Sequence, residues 1–213
     1  MRVSEIFLSL QGESSSAGLP TVFVRTAGCH LRCRWCDTAY AFAGGEEMTP
    51  AEVYQRAAAY GVRRACLTGG EPLLQPRHEV LALLDLLGGW EVSVETSGAV
   101  SLAGFPLRDG HRWVMDLKCP SSGMSERMDL ANLERLRPVD EVKFVVGDEA
   151  DYRWAVETIR RHGLERRCRL LFSPVYGELD PARLAEWILR DRLEARLQVQ
   201  LHKLLWGPDR RGV

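Results

Sequence analysis

Short apolar runs alternate with amphipathic stretches along most of this chain, and that alternation predicts its elements. Residues 21–25, read as Thr-Val-Phe-Val-Arg, are rich in β-branched and aromatic side chains and predict a strand. The runs at 64–68, 91–96, 113–118, 141–146, 169–173 and 197–202 predict further strands. Between them, residues 53–60, 77–87, 151–162 and 181–191 carry apolar positions at helical spacing. Thr49, Pro50 and Glu52 mark one helix start, as an N-cap, a first-turn proline and a first-turn acid, and Gly61 ends that helix. Residues 5–10 alternate loosely before a polar loop at 11–16.

Strands separated by helices imply right-handed crossovers and a parallel sheet. Six or seven such units are too few to close a full barrel. The expected architecture is therefore α/β, a partial (β/α) barrel of about six parallel strands with some abbreviated helices, with a doubly wound sheet as the second choice. The chain shows no repeat, low-complexity tract or linker, so residues 1–213 are expected to form a single domain. In either architecture ligands gather beyond the carboxyl ends of the strands. The chain's unusual residues collect there: Cys29, then 69–72, 96–98, 116–118, 173–174 and 200–203.

Composition narrows the partners. With 46% hydrophobic and 27% charged residues and a net charge of −1, the chain has no global basic field to attract a nucleic acid or a membrane surface. It has no run long and apolar enough for a signal peptide or a membrane span, so a small-molecule partner and a cytosolic setting are expected. Only Lys118, Lys143 and Lys203 stand among 28 basic residues, each on or just after an expected strand. Lysines placed so suggest at least one ligand contact, against the plainer role of a packed stem with a solvated tip.

The chemistry concentrates in residues 29–38, where Cys29, Cys33 and Cys36 follow a Cys-x3-Cys-x2-Cys pattern. Three clustered thiols in a chain without a disulfide framework point to zinc or an iron–sulfur cluster. Either would ordinarily take a fourth protein ligand. His30 is adjacent to Cys29 and could join the same shell only with backbone strain; Cys119 and Cys66 are more remote candidates, while Cys66 and Cys168 also read as small buried hydrophobes. One βα unit downstream, Gly69, Gly70, Glu71 and Pro72 form a turn in which glycines let the backbone approach a ligand and Glu71 can accept from an ammonium group.

The cysteine loop and the Gly-Gly-Glu-Pro turn together resemble the radical S-adenosylmethionine superfamily. Within it, residues 9–13, 23–25, 28–29, 35–38, 67–72, 95–98 and 200–202 are similar to the 7-carboxy-7-deazaguanine synthases, in order and over nearly the whole chain. The resemblance implies a partial barrel in which Cys29, Cys33 and Cys36 hold a 4Fe-4S cluster whose open iron binds S-adenosylmethionine. It implies ring contraction of 6-carboxytetrahydropterin with loss of ammonia, on the route to queuosine. Thr38 would ligate Mg2+, with substrate carboxylate and water completing the shell. Leu10, Gln11, Gly12, Glu13, Arg25, Thr68, Gln200 and His202 would meet the pterin, Arg25 as a fork on its carboxylate and, with Thr68, at the reacting centre. Gly69, Gly70, Glu71, Thr96, Ser97, Asp116, Leu117, Lys118, Ser173, Pro174 and Val175 would meet S-adenosylmethionine. A flavodoxin-like or ferredoxin-like electron donor and a homodimer are implied as well. Members differ in the stretch at Asp116, Leu117 and Lys118, where others carry Ser-Pro-Lys, and this chain ends Arg-Gly-Val where some members place a proline near the substrate. The alternatives are a glycyl-radical activating enzyme and a structural zinc module.

Overall fold

A computed structural model describes all 213 residues. Its single sheet has nine strands: β1 (Arg2–Leu10), β2 (Pro20–Thr26), β3 (Glu46–Glu47), β4 (Arg64–Gly69), β5 (Glu91–Thr96), β6 (His111–Asp116), β7 (Glu141–Val146), β8 (Arg169–Pro174) and β9 (Arg196–Leu197). The spatial order is β3-β1-β2-β4-β5-β6-β7-β8-β9. From β2 to β9 every neighbouring pair is parallel, and the sheet is an open partial barrel as expected. The expectation did not include β1 and β3, which are antiparallel and extend one edge.

Helix starts follow their local chemistry. In α1 (Pro50–Ala58) Thr49 and Glu52 form a reciprocal capping box with Pro50 at the first position. Asp148 caps α3 (Glu149–His162), which stops at Gly163 in the left-handed conformation, and Asp180 caps α4 (Pro181–Asp191) ahead of Pro181. With α2 (Arg77–Leu86), these helices pack on the outside of the sheet and bury Val53, Leu83, Ile159 and Leu184. Tyr152, Phe172, Phe144 and Trp187 make a stacked and tilted aromatic group, and the Tyr152 hydroxyl donates to the Trp187 carbonyl at 2.9 Å. Trp187 is therefore core.

The crossovers β5 to β6 and β6 to β7 carry only short 3-10 turns. A single buried side chain does the work of a helix between them: Asn132 accepts from Leu102 N and donates to the carbonyls of Gly98 and Val100.

Residues 197–202, expected as a last strand, are corrected by the structure. β9 spans two residues because its pairing with β8 stops at Phe172–Leu197, and the chain turns into α5 (Leu201–Trp206), which carries Lys203 on a helix. The Gln198 side chain pairs with the backbone of Ser14 in both directions, at 2.9 and 2.6 Å. Residues 11–19, joining β1 to β2, thus cross the open side of the barrel. Ser15 and Ser16 are held by Glu141, Arg169 and Arg112, which lie at the amino ends of β7, β8 and β6. The loop plugs the amino end and leaves the carboxyl ends open. No helix is long and apolar enough to cross a membrane.

Candidate active site

Two loops leave the carboxyl ends of β2 and β4 and are fused through their backbones. Gly70 N donates to Thr26 O at 2.9 Å and Glu71 N to Gly28 O at 2.8 Å. Gly69 has φ +127°, and a Cβ on Gly70 would lie 2.0 Å from the Gly28 carbonyl oxygen. The backbone that these glycines admit is that of the cysteine loop, where the sequence suggested a ligand.

Glu71 is fully buried, and its carboxylate accepts from Thr96 Oγ1 (2.8 Å), Leu73 N (3.2 Å), Ser97 N (2.8 Å) and Ser97 Oγ (2.5 Å). With four protein donors, this carboxylate staples β4 to β5 and is not the free acceptor for an ammonium group that the sequence suggested. The Thr96 and Ser97 side chains are committed to the same staple. Leu117, Pro174 and Val175 are buried too, and the amides of Leu117 and Val175 donate to Lys143 O and Val146 O.

Cys29, Cys33 and Cys36 are half-buried, and all six cysteines are free thiols. Burial pushes Cys29 and Cys33 up from the usual thiol range; Glu71 adds to this at Cys29 and Asp116 at Cys33, while Lys118 opposes it at both. Side chains around the thiols pin the loop. Arg32 donates to the carbonyls of Cys29 (2.8 Å) and Leu31 (2.7 Å) and lies 4.2 Å from the Phe42 ring centre, and Arg34 pairs with Glu178. The three thiols share one loop but do not stand as a group that could hold a single metal ion. Cys66 and Cys119 lie in the core, and burial holds both thiols well above the usual range. The donor set around the loop is thus three sulfurs with no fourth, which suits a cluster with one open iron better than tetrahedral zinc. Asp116 Oδ1 and Ser173 Oγ are buried and have no protein partner. Thr38 stands at the start of a 3-10 turn without capping it, and its hydroxyl is hydrogen-bonded to Cys36 Sγ at 3.7 Å.

A second group of polar residues lines the interior between the plugging loop and the strands. Arg25 Nε donates to Glu5 Oε1 at 2.7 Å, and Tyr40 OH donates to the same oxygen at 2.7 Å. Glu5 thus forms the ion pair of Arg25 through Nε alone, and the two Nη groups of Arg25 have no protein acceptor. Thr68 Oγ1 and Gln11 Nε2 both donate to Glu95, at 3.1 and 3.3 Å. Glu95 is not among the expected site residues, although it opens the stretch 95–98 that resembles the family.

Glu13 takes Lys143 Nζ on one oxygen at 2.5 Å and Gln200 Nε2 on the other at 2.7 Å. Lys143 also reaches Asp116 at 3.3 Å, and Lys118 reaches it at 2.9 Å. Burial alone would raise the Asp116 carboxyl, but Lys118 and Lys143 outweigh it and hold it below the usual range. Gln200 bridges to Asp37 at 3.1 Å and Lys203 pairs with Asp37 at 3.4 Å, which ties α5 to the cysteine loop. His202 lies against Gly12, and burial pushes its imidazole below the usual range, opposed by Glu13 and Asp37. The sparse lysines therefore all sit among site carboxylates. Leu10 is half-buried at the end of β1.

Residues 23–103 match the Radical SAM superfamily model. A 7-carboxy-7-deazaguanine synthase of Koribacter versatilis is 43% identical over 230 residues, covering all of both chains. One from Chlorobaculum tepidum is 45% identical over 222 residues, covering all of this chain and 97% of the other. The chain belongs to the 7-carboxy-7-deazaguanine synthase family. As a family member it is a radical S-adenosylmethionine enzyme of the lyase class. The crystal structure of QueE from Escherichia coli shares its fold, with a TM-score of 0.76 over 94% of each chain at 23% identity. Relatives matched along their whole length leave no place for the glycyl-radical activase or zinc-module readings.

Proposed function

We propose that this enzyme contracts 6-carboxy-5,6,7,8-tetrahydropterin to 7-carboxy-7-deazaguanine with loss of ammonia, in queuosine biosynthesis. The observation that carries this reading is Arg25. Its Nε is fixed on Glu5 while both Nη groups remain free, a fork suited to a carboxylated substrate, on the strand that runs into the cysteine loop.

Cys29, Cys33 and Cys36 would hold the 4Fe-4S cluster, which with S-adenosylmethionine supplies a 5′-deoxyadenosyl radical when bound. The chain's own residues then bind, orient and shield. Asp116 Oδ1 and Ser173 Oγ, at the carboxyl-end residues of β6 and β8, are unpartnered polar atoms that would meet the cofactor, with Lys118 beside Asp116 and the backbones at Gly69 and Gly70 contributing from β4. Gln11, Thr68 and Glu95 form a linked donor and acceptor edge for the pterin ring, with Glu13, Gln200 and His202 on its other side. Arg25, and Mg2+ on Thr38, would orient the carboxylate during rearrangement, where small displacements cost rate. A flavodoxin-like or ferredoxin-like donor, a homodimer and a cytoplasmic setting complete the proposal.

The test is anaerobic reconstitution, then incubation with the tetrahydropterin, S-adenosylmethionine and a reductant. Deazaguanine formation is expected. Formation of 5′-deoxyadenosine without it would remove the substrate assignment, and a colourless chain holding one zinc would remove the cluster.

A further inference from the structure

We propose that Lys143 is a positioning residue that holds the substrate side and the cofactor side of the site in register through one buried ammonium group. The inference rests on the function proposed above. Lys143 lies within β7, its side chain 10% exposed, and its Nζ is shared by Glu13 (2.5 Å) and Asp116 (3.3 Å). Glu13 comes from the loop that plugs the barrel; Asp116 ends β6 with one oxygen unpartnered beside Lys118. No other side chain bonds to carboxylates in both places.

The network gives Lys143 a geometric task. Each carboxylate has a second hydrogen-bond partner, Gln200 on Glu13 and Lys118 on Asp116; Gln200 is neutral, so Lys143 is the cation that balances Glu13, while Asp116 keeps Lys118. Their mutual placement depends on Lys143, because the loop carrying Glu13 and the end of β6 share no other side-chain bond at this depth. A carboxylate held on both oxygens keeps one orientation and still has lone pairs for a ligand. Removing the ammonium leaves Glu13 held by Gln200 alone and free to swing, and the substrate shifts relative to the cofactor.

The experiment compares wild type, Lys143→Met, Lys143→Arg, Glu13→Gln and the double variant Glu13→Gln with Lys143→Met. The full-length reconstituted chain is used throughout. Two quantities are read: the Kd of the oxidised, unreactive 6-carboxypterin by calorimetry, and 5′-deoxyadenosine formed per deazaguanine. Lys143→Met is expected to weaken pterin binding by about tenfold or more and to raise the 5′-deoxyadenosine ratio several-fold, with partial recovery in Lys143→Arg. A merely structural role would lower the folded fraction without changing that ratio.

If Lys143→Met does not fold because Glu13 is left buried as a charge, the double variant removes that charge and folds. Its binding defect should equal that of Glu13→Gln alone, since the two residues act as one unit. Multiplying defects overturn the proposal, as does a Lys143→Met variant within twofold of wild type in both quantities. A wild type that binds the pterin with the same Lys143 dependence but never converts it sinks the proposed reaction and leaves the positioning role standing. A wild type that binds no pterin sinks both.

Discussion

A Cβ on Gly12 would fall 2.3 Å from Nδ1 of His202 and 3.3 Å from its backbone nitrogen. Leu201 N also donates to Gly12 O at 3.0 Å, so α5 is seated on the loop that plugs the barrel. A helix of six residues has little stability of its own, and its position is set by this contact and by Gln200 and Lys203 on Asp37.

Gly12→Ala should therefore displace α5 more than it destabilises the domain. KM for the pterin is expected to rise on the order of tenfold. The melting temperature should stay nearly unchanged, because the helix can lift without exposing the core. Steady-state kinetics beside a thermal melt checks this, and an unchanged KM would show that α5 does not shape the pocket.

Gly70→Ala attacks a different kind of contact. The added Cβ meets the backbone carbonyl of Gly28 at 2.0 Å, which no side-chain rotation relieves. A loss of about 2–4 kcal/mol is expected by urea denaturation of the metal-free chain. The iron bound per chain should also fall, since the turn holds the base of the cysteine loop.

Arg25→Lys keeps the charge and removes the fork. The pair with Glu5 can persist, so folding and iron content should match wild type. KM for the carboxypterin should rise by about tenfold or more, with substrate-free cleavage of S-adenosylmethionine unchanged. Equal KM values would show that the guanidinium does not meet the carboxylate.

His111 gives a pH dependence away from the site. Burial holds its imidazole below the usual range, and Arg108 and Arg137 act in the same direction, while the bond to the Leu87 carbonyl and Asp85 oppose it. The unfolded chain therefore takes up its proton at a higher pH than the folded one. This contribution to stability is complete above about pH 6.5 and is lost as pH falls towards the depressed folded value. Urea denaturation across mildly acidic pH should show the decline. His111→Gln should flatten it in part, because His202 is depressed as well. A slope identical in both proteins would contradict the assignment.

Sequence alone determined the parallel βα rhythm, the capped helix start at Thr49, and the family. Each rests on neighbours within a few residues: spacing of apolar positions, a cap beside its own helix, three thiols in one loop. Tertiary structure decided which groups are free to act. Glu71 carries the family motif, yet it is consumed by Thr96 and Ser97 from the next strand. Arg25 keeps two free groups because Glu5 on the antiparallel neighbour takes the third. Glu95 gained its place because Gln11 and Thr68 converge on it from two other elements. The last strand gave way to α5 for want of a partner beyond Phe172, and that turn brought Gln200, His202 and Lys203 to Glu13, Gly12 and Asp37. Local pattern fixes what a residue can offer; partners far along the chain use up part of that capacity, and only the remainder faces a ligand.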